Sequence, residues 1–256
     1  MIEVTGCQMT IEIEVRKFKD FDLRGGTVIE GFPTVGLVST IACSYMISTL
    51  DLDQICALES EHFPPVSMIY ATKPKFPARI YAREDIKLAI FITEFPLPSI
   101  LHRPIARSIL SWAAEQGCER VISLEGLPAE NVEEDTPRET PAIWGVGSTD
   151  EARQELEKSG IEQIEVAMIS GVSGVLLNEG RWRGINVASL LAEARPEYPD
   201  AHAAAELVKA ADLLIPEVEI DLEPLYEQAR EIEESYRKLE QQVSPVIREP
   251  HVAMFR

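Results

Sequence analysis

The sequence predicts an α/β protein: a three-layer α/β/α sandwich around a mostly parallel or mixed sheet. Three observations carry that prediction. Short apolar runs of strand length alternate along the chain with longer segments of helical period. Residues 27–50 form a strand–turn–helix unit, in which Thr27, Val28, Ile29 and Glu30 precede a break at Gly31, Phe32 and Pro33. No internal repeat is present, and 256 residues suffice for one large domain or two small ones. We read residues 1–220 as a single α/β domain, 221–243 as a C-terminal amphipathic helix and 244–256 as a tail.

In chain order, residues 10–18 alternate through Ile11, Ile13 and Val15 as a strand at a sheet edge. The 27–30 strand follows, and then a helix over 34–50 with Thr34 as its N-cap. Val35, Leu37, Val38, Ile41, Ala42, Tyr45, Met46 and Leu50 cover most of that helix, so it is buried in a core or between subunits. Strands are expected at 54–60, 66–71, 78–83 and 87–93, the last two joined by a Glu84-Asp85 turn. Pro96 and Pro98 make 94–98 a loop. Pro104 suits the first turn of a helix that runs to about Gln116, and Gly117 stops it. A buried strand over 120–124 ends at Gly126. Composition over 129–141 then turns acidic and Pro-rich, as in an exposed loop. A strand at 143–146, a Thr149-capped helix over 150–158, strands at 165–170 and 186–192, and an Ala-rich helix over 199–211 complete the body.

Near the C-terminus, Leu222, Leu225, Ala229, Ile232, Tyr236, Leu239 and Val243 step by alternating threes and fours, an unbroken heptad seam. Two readings stand for it: an oligomer or partner contact, or an amphipathic helix lying on its own domain. The seam reaches about three heptads, the minimum for a coiled coil.

Twenty-four basic against 43 acidic residues give a net charge of −19. Such a chain repels nucleic acid and anionic membrane, so neither is an expected partner. The apolar stretch 35–50 is broken by Ser39, Thr40 and Ser44 and is shorter than the roughly 20 residues of a membrane span. The N-terminus lacks a signal-peptide pattern. Cys7, Cys43, Cys56 and Cys118 have no paired spacing, as expected of reduced thiols in the cytoplasm. With His62, His102, His202 and His251 equally scattered, no metal site and no cofactor is expected.

Two Gly-containing turns are candidate ligand pockets, because ligands in open α/β sheets gather beyond strand C-termini. One comprises Gly31, Phe32, Pro33, Thr34 and Gly36, the other Gly171, Ser173 and Gly174. The first serves either to offer backbone N–H groups to an anion or to let helix and sheet pack closely. Ser173 lacks the Gly-x-Ser-x-Gly frame of a nucleophile elbow and has no assignable His–Asp pair. Glu94, just past a strand, is a candidate general base or a hydrogen-bonded structural carboxylate, and Arg79, Arg103 and Arg107 are candidate anion partners.

Several runs together resemble the proteasome assembly chaperone family in its archaeal branch. They are Gly31 to Val38, Phe63 to Val66, Pro77 to Tyr81, Thr93-Glu94, Val121 to Gly126, Ile169 to Leu177, and Pro199-Asp200. The resemblance spans roughly residues 20–215. It implies a phosphorylase/hydrolase-like sandwich, homo- or hetero-oligomers, and chaperone action on the proteasome α-ring. Some archaeal members have carried an ATP-grasp label, but the corresponding lysines and magnesium carboxylates are missing from this chain. The family implies docking into α-subunit pockets through a C-terminal hydrophobic–Tyr–any-residue motif. This chain ends Met254, Phe255, Arg256, with Phe in place of Tyr. The expectation is therefore a non-enzymatic, homo-oligomeric assembly chaperone. The alternative is a nucleotide- or anion-binding enzyme or sensor, ligase- or phosphorylase-like, that uses the two Gly turns.

Overall fold

The computed structural model of the protein describes residues 11–70, 72–129, 140–196, 199–215, 218 and 220–227. Among these residues ten strands are formed: β1 (Glu14–Lys17), β2 (Thr27–Gly31), β3 (Asp53–Glu59), β4 (Met68–Tyr70), β5 (Lys73–Lys75), β6 (Ala78–Arg83), β7 (Leu88–Thr93), β8 (Arg120–Pro128), β9 (Ile143–Gly147) and β10 (Asn186–Ala194). Five complete α-helices accompany them among the described residues: α1 (Val38–Thr49), α2 (Ser99–Glu115), α3 (Asp150–Lys158), α4 (Gly171–Arg183) and α5 (Ala201–Asp212). Eight strands make one sheet in the order β1-β3-β6-β7-β2-β8-β10-β9, and β4 and β5 form a separate hairpin. The centre, β7-β2-β8-β10, is parallel, while β1, β3, β6 and β9 join antiparallel. The sheet is thus mixed, and β1 lies at its edge as the alternation of 10–18 predicts.

Strand alternation sorts the core into two layers. Ile29, Ile90, Ile122 and Leu190 point to one face and pack with α1, α5 and Leu156 of α3. Val28, Phe91, Val121 and Val187 point to the other and pack with α2 and α4. Because β2 is covered on both faces, all five of its residues are buried. This is the three-layer sandwich the sequence predicts. The Thr149 cap of α3 is as the sequence predicts, its Oγ1 accepting from Ala152 N at 3.1 Å, and Asp200 caps α5, its Oδ1 accepting from Ala203 N at 3.0 Å.

Four expectations need correction. The helix expected over 34–50 is broken into a single 3-10 turn (Val35–Leu37) and α1, because Gly36 and Leu37 both take left-handed angles, φ 61° and 52°. Thr34 makes no cap hydrogen bond there. Helix α2 starts at Ser99, ahead of the expected site, so Pro104 lies inside it and cannot donate to the Ile100 carbonyl. Finally, residues 165–170 are no strand. Both flanks of β10 are taken, by β8 and β9, and the alternating Val166 and Met168 stand 91% and 93% exposed.

The described part of the C-terminal seam is residues 220–227, of which 223–227 are helical. Leu225 is fully buried and Leu222 partly buried against the α1/α5 layer, and Tyr226 Oη donates to Glu206 Oε1 at 2.6 Å. Ala229, Ile232, Tyr236, Leu239 and Val243, like Met254, Phe255 and Arg256, lie outside the described residues.

Candidate functional site

The most concentrated buried polar chemistry lies between the sheet and the start of α4. The alternation that turns Val28 and Val121 toward the α2/α4 layer turns Glu30, Ser123 and Glu125 the same way, and Glu30 stands in register with Ser123. Ser173, in the first turn of α4, meets them. Ser123 Oγ lies 2.6 Å from Glu30 Oε2 and 2.7 Å from Ser173 Oγ, and Ser173 Oγ lies 2.7 Å from Glu125 Oε2. The Phe32 N–H donates to Glu30 Oε1 at 2.9 Å. Glu30, Ser123 and Ser173 are essentially without solvent exposure. Burial pushes the Glu30 carboxyl up to about 8 and that of Glu125 up to about 7; their hydrogen bonds offset only part of the shift. Ser189 of β10 stands in register on the far side of Ser123, fully buried, and its hydroxyl has no hydrogen-bond partner among the described residues.

On the opposite face, the Gly-containing turn is packed tight. A Cβ on Gly126 would stand 2.4 Å from the Val35 carbonyl oxygen, so β8 and the 3-10 turn approach as only glycine allows. Thr34 Oγ1 pairs with Ser39 Oγ at 2.6 Å and accepts from Gly126 N at 3.2 Å. Gly36 accepts from Asp200 N at 2.8 Å and lies against the Arg195 carbonyl.

The two candidate turns are therefore joined through the sheet, from Phe32 through Glu30 and Ser123 to Ser173. Gly171 and Gly174, expected in a loop after a strand, instead open α4, and Gly174 lies against the Ile169 carbonyl. Among the described residues Ser173 Oγ bonds to Ser123 and Glu125 and to no histidine. Glu94 stands apart. It forms an ion pair with Arg79, a residue only 3% exposed, whose Nη1 donates to the Phe76 carbonyl at 2.6 Å. Arg103 and Arg107 converge with Arg183 on Glu179, which holds that carboxyl below its ordinary value, chiefly through the Arg107 hydrogen bond. A surface cleft of about 340 Å³ lies on the antiparallel half. Most of its charges are mutually paired, Asp20 with Lys17, Asp53 with Lys19 and Asp85 with Arg83.

Sequence reasoning flagged Ser173 but missed Glu30, Ser123 and Glu125. The signal was a carboxylate inside an apolar run that is buried on both faces, which demands a partner.

A mixed eight-stranded sheet between two helical layers, with no group of metal-ligating side chains among the described residues, defines an α/β/α sandwich whose polar chemistry is internal. The chain belongs to the PAC2 family, whose sequence model matches residues 28–240. Pyrococcus furiosus PbaA, an archaeal homolog of proteasome-assembly chaperone, is 30% identical with a TM-score of 0.79, over 93% of this chain and 95% of that one. Pyrococcus furiosus PbaB, an archaeal proteasome activator, is 26% identical with a TM-score of 0.77, over 90% and 99%. An uncharacterized protein of Methanocaldococcus jannaschii is 26% identical over 215 residues, 84% of this chain and 85% of that protein.

Proposed function

We propose that this protein is a non-enzymatic assembly-chaperone-like interaction protein that acts on the proteasome α-ring from the cytoplasm. The observation that carries the reading is the similarity to PbaA over nearly the whole of both chains. The similarity to PbaB, a proteasome activator, supports the same partner. In this reading Met254, Phe255 and Arg256 dock between α subunits: the aromatic ring wedges into a pocket and the terminal carboxylate pairs with a lysine. Several tails on a homo-oligomer offset weak single contacts by avidity. Since Leu222 and Leu225 pack on the chain's own core, the seam positions from Ala229 to Val243 are the ones we assign to a partner copy.

Packing at the 31–36 turn speaks against the anion-binding alternative. The Thr34 hydroxyl is engaged twice, and the Arg195 carbonyl and Asp200 Cβ close on Gly36. Glu30 and Glu125 likewise make the Ser173 region unfavourable for phosphate.

The test is binding of the full chain and of a chain lacking residues 254–256 to the proteasome core particle. Loss of binding on truncation is expected. Undiminished binding would remove the tail mechanism, and no binding by either chain would remove the whole reading. Phe255→Tyr should tighten binding by about fivefold, through one added hydrogen bond worth about 1 kcal/mol.

A further inference from the structure

The Glu30–Ser123–Ser173–Glu125 series needs more protons than its hydroxyls supply. Its three oxygen–oxygen separations, 2.6, 2.7 and 2.7 Å, are all of hydrogen-bond length. At that distance two oxygens with no proton between them repel. Two serines bring two protons. The third has to come from a carboxyl.

We propose that Glu30 and Glu125 hold one proton between them through the two serine hydroxyls, and that this shared proton is a pH-operated clasp fastening α4 to β2 and β8. With the proton on Glu30, its carboxyl donates to Ser123, Ser123 to Ser173, and Ser173 to the Glu125 carboxylate. With the proton on Glu125, every donor reverses. Both arrangements satisfy all three contacts, and in both the Phe32 N–H still donates to Glu30. Either way the site carries a single negative charge.

The surroundings favour retention of the proton. Neither glutamate has an ion-pair partner among the described residues. Across the sheet, the titratable group that α1 brings near Glu30 is the buried Cys43 thiol, itself raised by burial and by the Glu30 charge, so it supplies no cation. From β8 comes Glu125, and from α4 only Ser173. Desolvation raises both carboxyls, the direction a retained proton requires.

Removing the proton would put two charges in a buried site and leave the Ser123 and Ser173 oxygens facing each other bare. Ser173 is the sole member of the series on α4, so the joint that parts is the first turn of that helix, next to the exposed Val166 and Met168. A carboxyl whose folded-state value is raised holds its contribution below the unfolded value, near 4.5, and loses it as pH climbs through about 8.

The experiment is hydrogen exchange of amides 171–175 in the full chain, corrected for the intrinsic pH dependence. Opening should rise by up to tenfold per pH unit between about 5 and 8, then level off. Glu30→Gln introduces an amide that donates to Ser123 and still accepts from Phe32, and its opening should rise less steeply and level off near pH 7, where the remaining Glu125 carboxyl has ionised. A flat wild-type profile, or a Glu30→Gln profile with the wild-type slope, overturns the proposal. The infrared spectrum of the wild type tests it without any variant. At about pH 7, where exposed carboxyls are ionised, the C=O stretch of a protonated carboxyl should be present, and its absence overturns the proposal.

Discussion

Gly31 and Cys43 touch with no room for a side chain on the glycine: a Cβ there would stand 2.1 Å from Cys43 Sγ and 2.9 Å from the Ser39 carbonyl oxygen. Strand β2 and helix α1 are therefore seated against each other by the absence of one methyl group. Gly31→Ala is expected to cost about 1–3 kcal/mol through overpacking. Cys43→Ala in the same chain should recover part of that loss, with a coupling of at least about 0.5 kcal/mol in a denaturation double-mutant cycle. Simple additivity would show that the Gly31 position is not limited by this contact.

The Arg79–Glu94 pair differs in how deeply each partner is buried, with side-chain exposures of 4% and 28%. Removing the carboxylate strands the deeper charge. Glu94→Gln should therefore cost on the order of 3 kcal/mol. Arg79→Met leaves unpaired the less buried partner of the two and should cost less. Urea unfolding of the two variants gives the ranking, and the reverse order would refute the argument.

Asp200 works at both ends of the β10–α5 connection. Its Oδ1 accepts from Ala203 N at 3.0 Å and its Oδ2 from Arg195 N at 2.9 Å. Asp200→Ala is expected to destabilise by about 1–2 kcal/mol and Asp200→Asn by clearly less, since Asn also caps well. Equal melting temperatures for the two variants would count against a capping role.

Burial pushes the thiols of Cys56 and Cys118 up to about 11. Because the thiolate is the reactive form, both should resist alkylation at neutral pH in the folded chain. Labelling should accelerate on unfolding, where thiol values return to the ordinary range near 8.5. Mass-resolved labelling with and without denaturant measures the contrast, and fast labelling of the native chain would contradict it.

What the sequence revealed was mostly local. The β2, β6 and β7 strands, the Thr149 cap and the Ala-rich α5 all follow from period and punctuation within short windows. The failures have physical causes of longer range. Residues 165–170 carry a strand-like period, yet β9 already occupies the flank of β10 they would need. The 34–50 segment reads as one helix until Gly36 and Leu37 adopt left-handed angles against the β10–α5 connection. The buried cluster shows the same divide. Ser173 was visible beside its glycines, but Glu30, Ser123 and Glu125 meet it only because β8 lies next to β2 and α4 packs over both.

The placement of β2 has a consequence for synthesis. This strand leaves the ribosome before either of its neighbours, β7 and β8, which arrive much later. Until Arg120–Pro128 has emerged, the strand has at most one ladder partner, and its apolar residues stay uncovered. Closing loops of that span makes nucleation slow and leaves the nascent segment open to off-pathway association. The central strand must thus wait, unfinished, until the Arg120–Pro128 segment has been made.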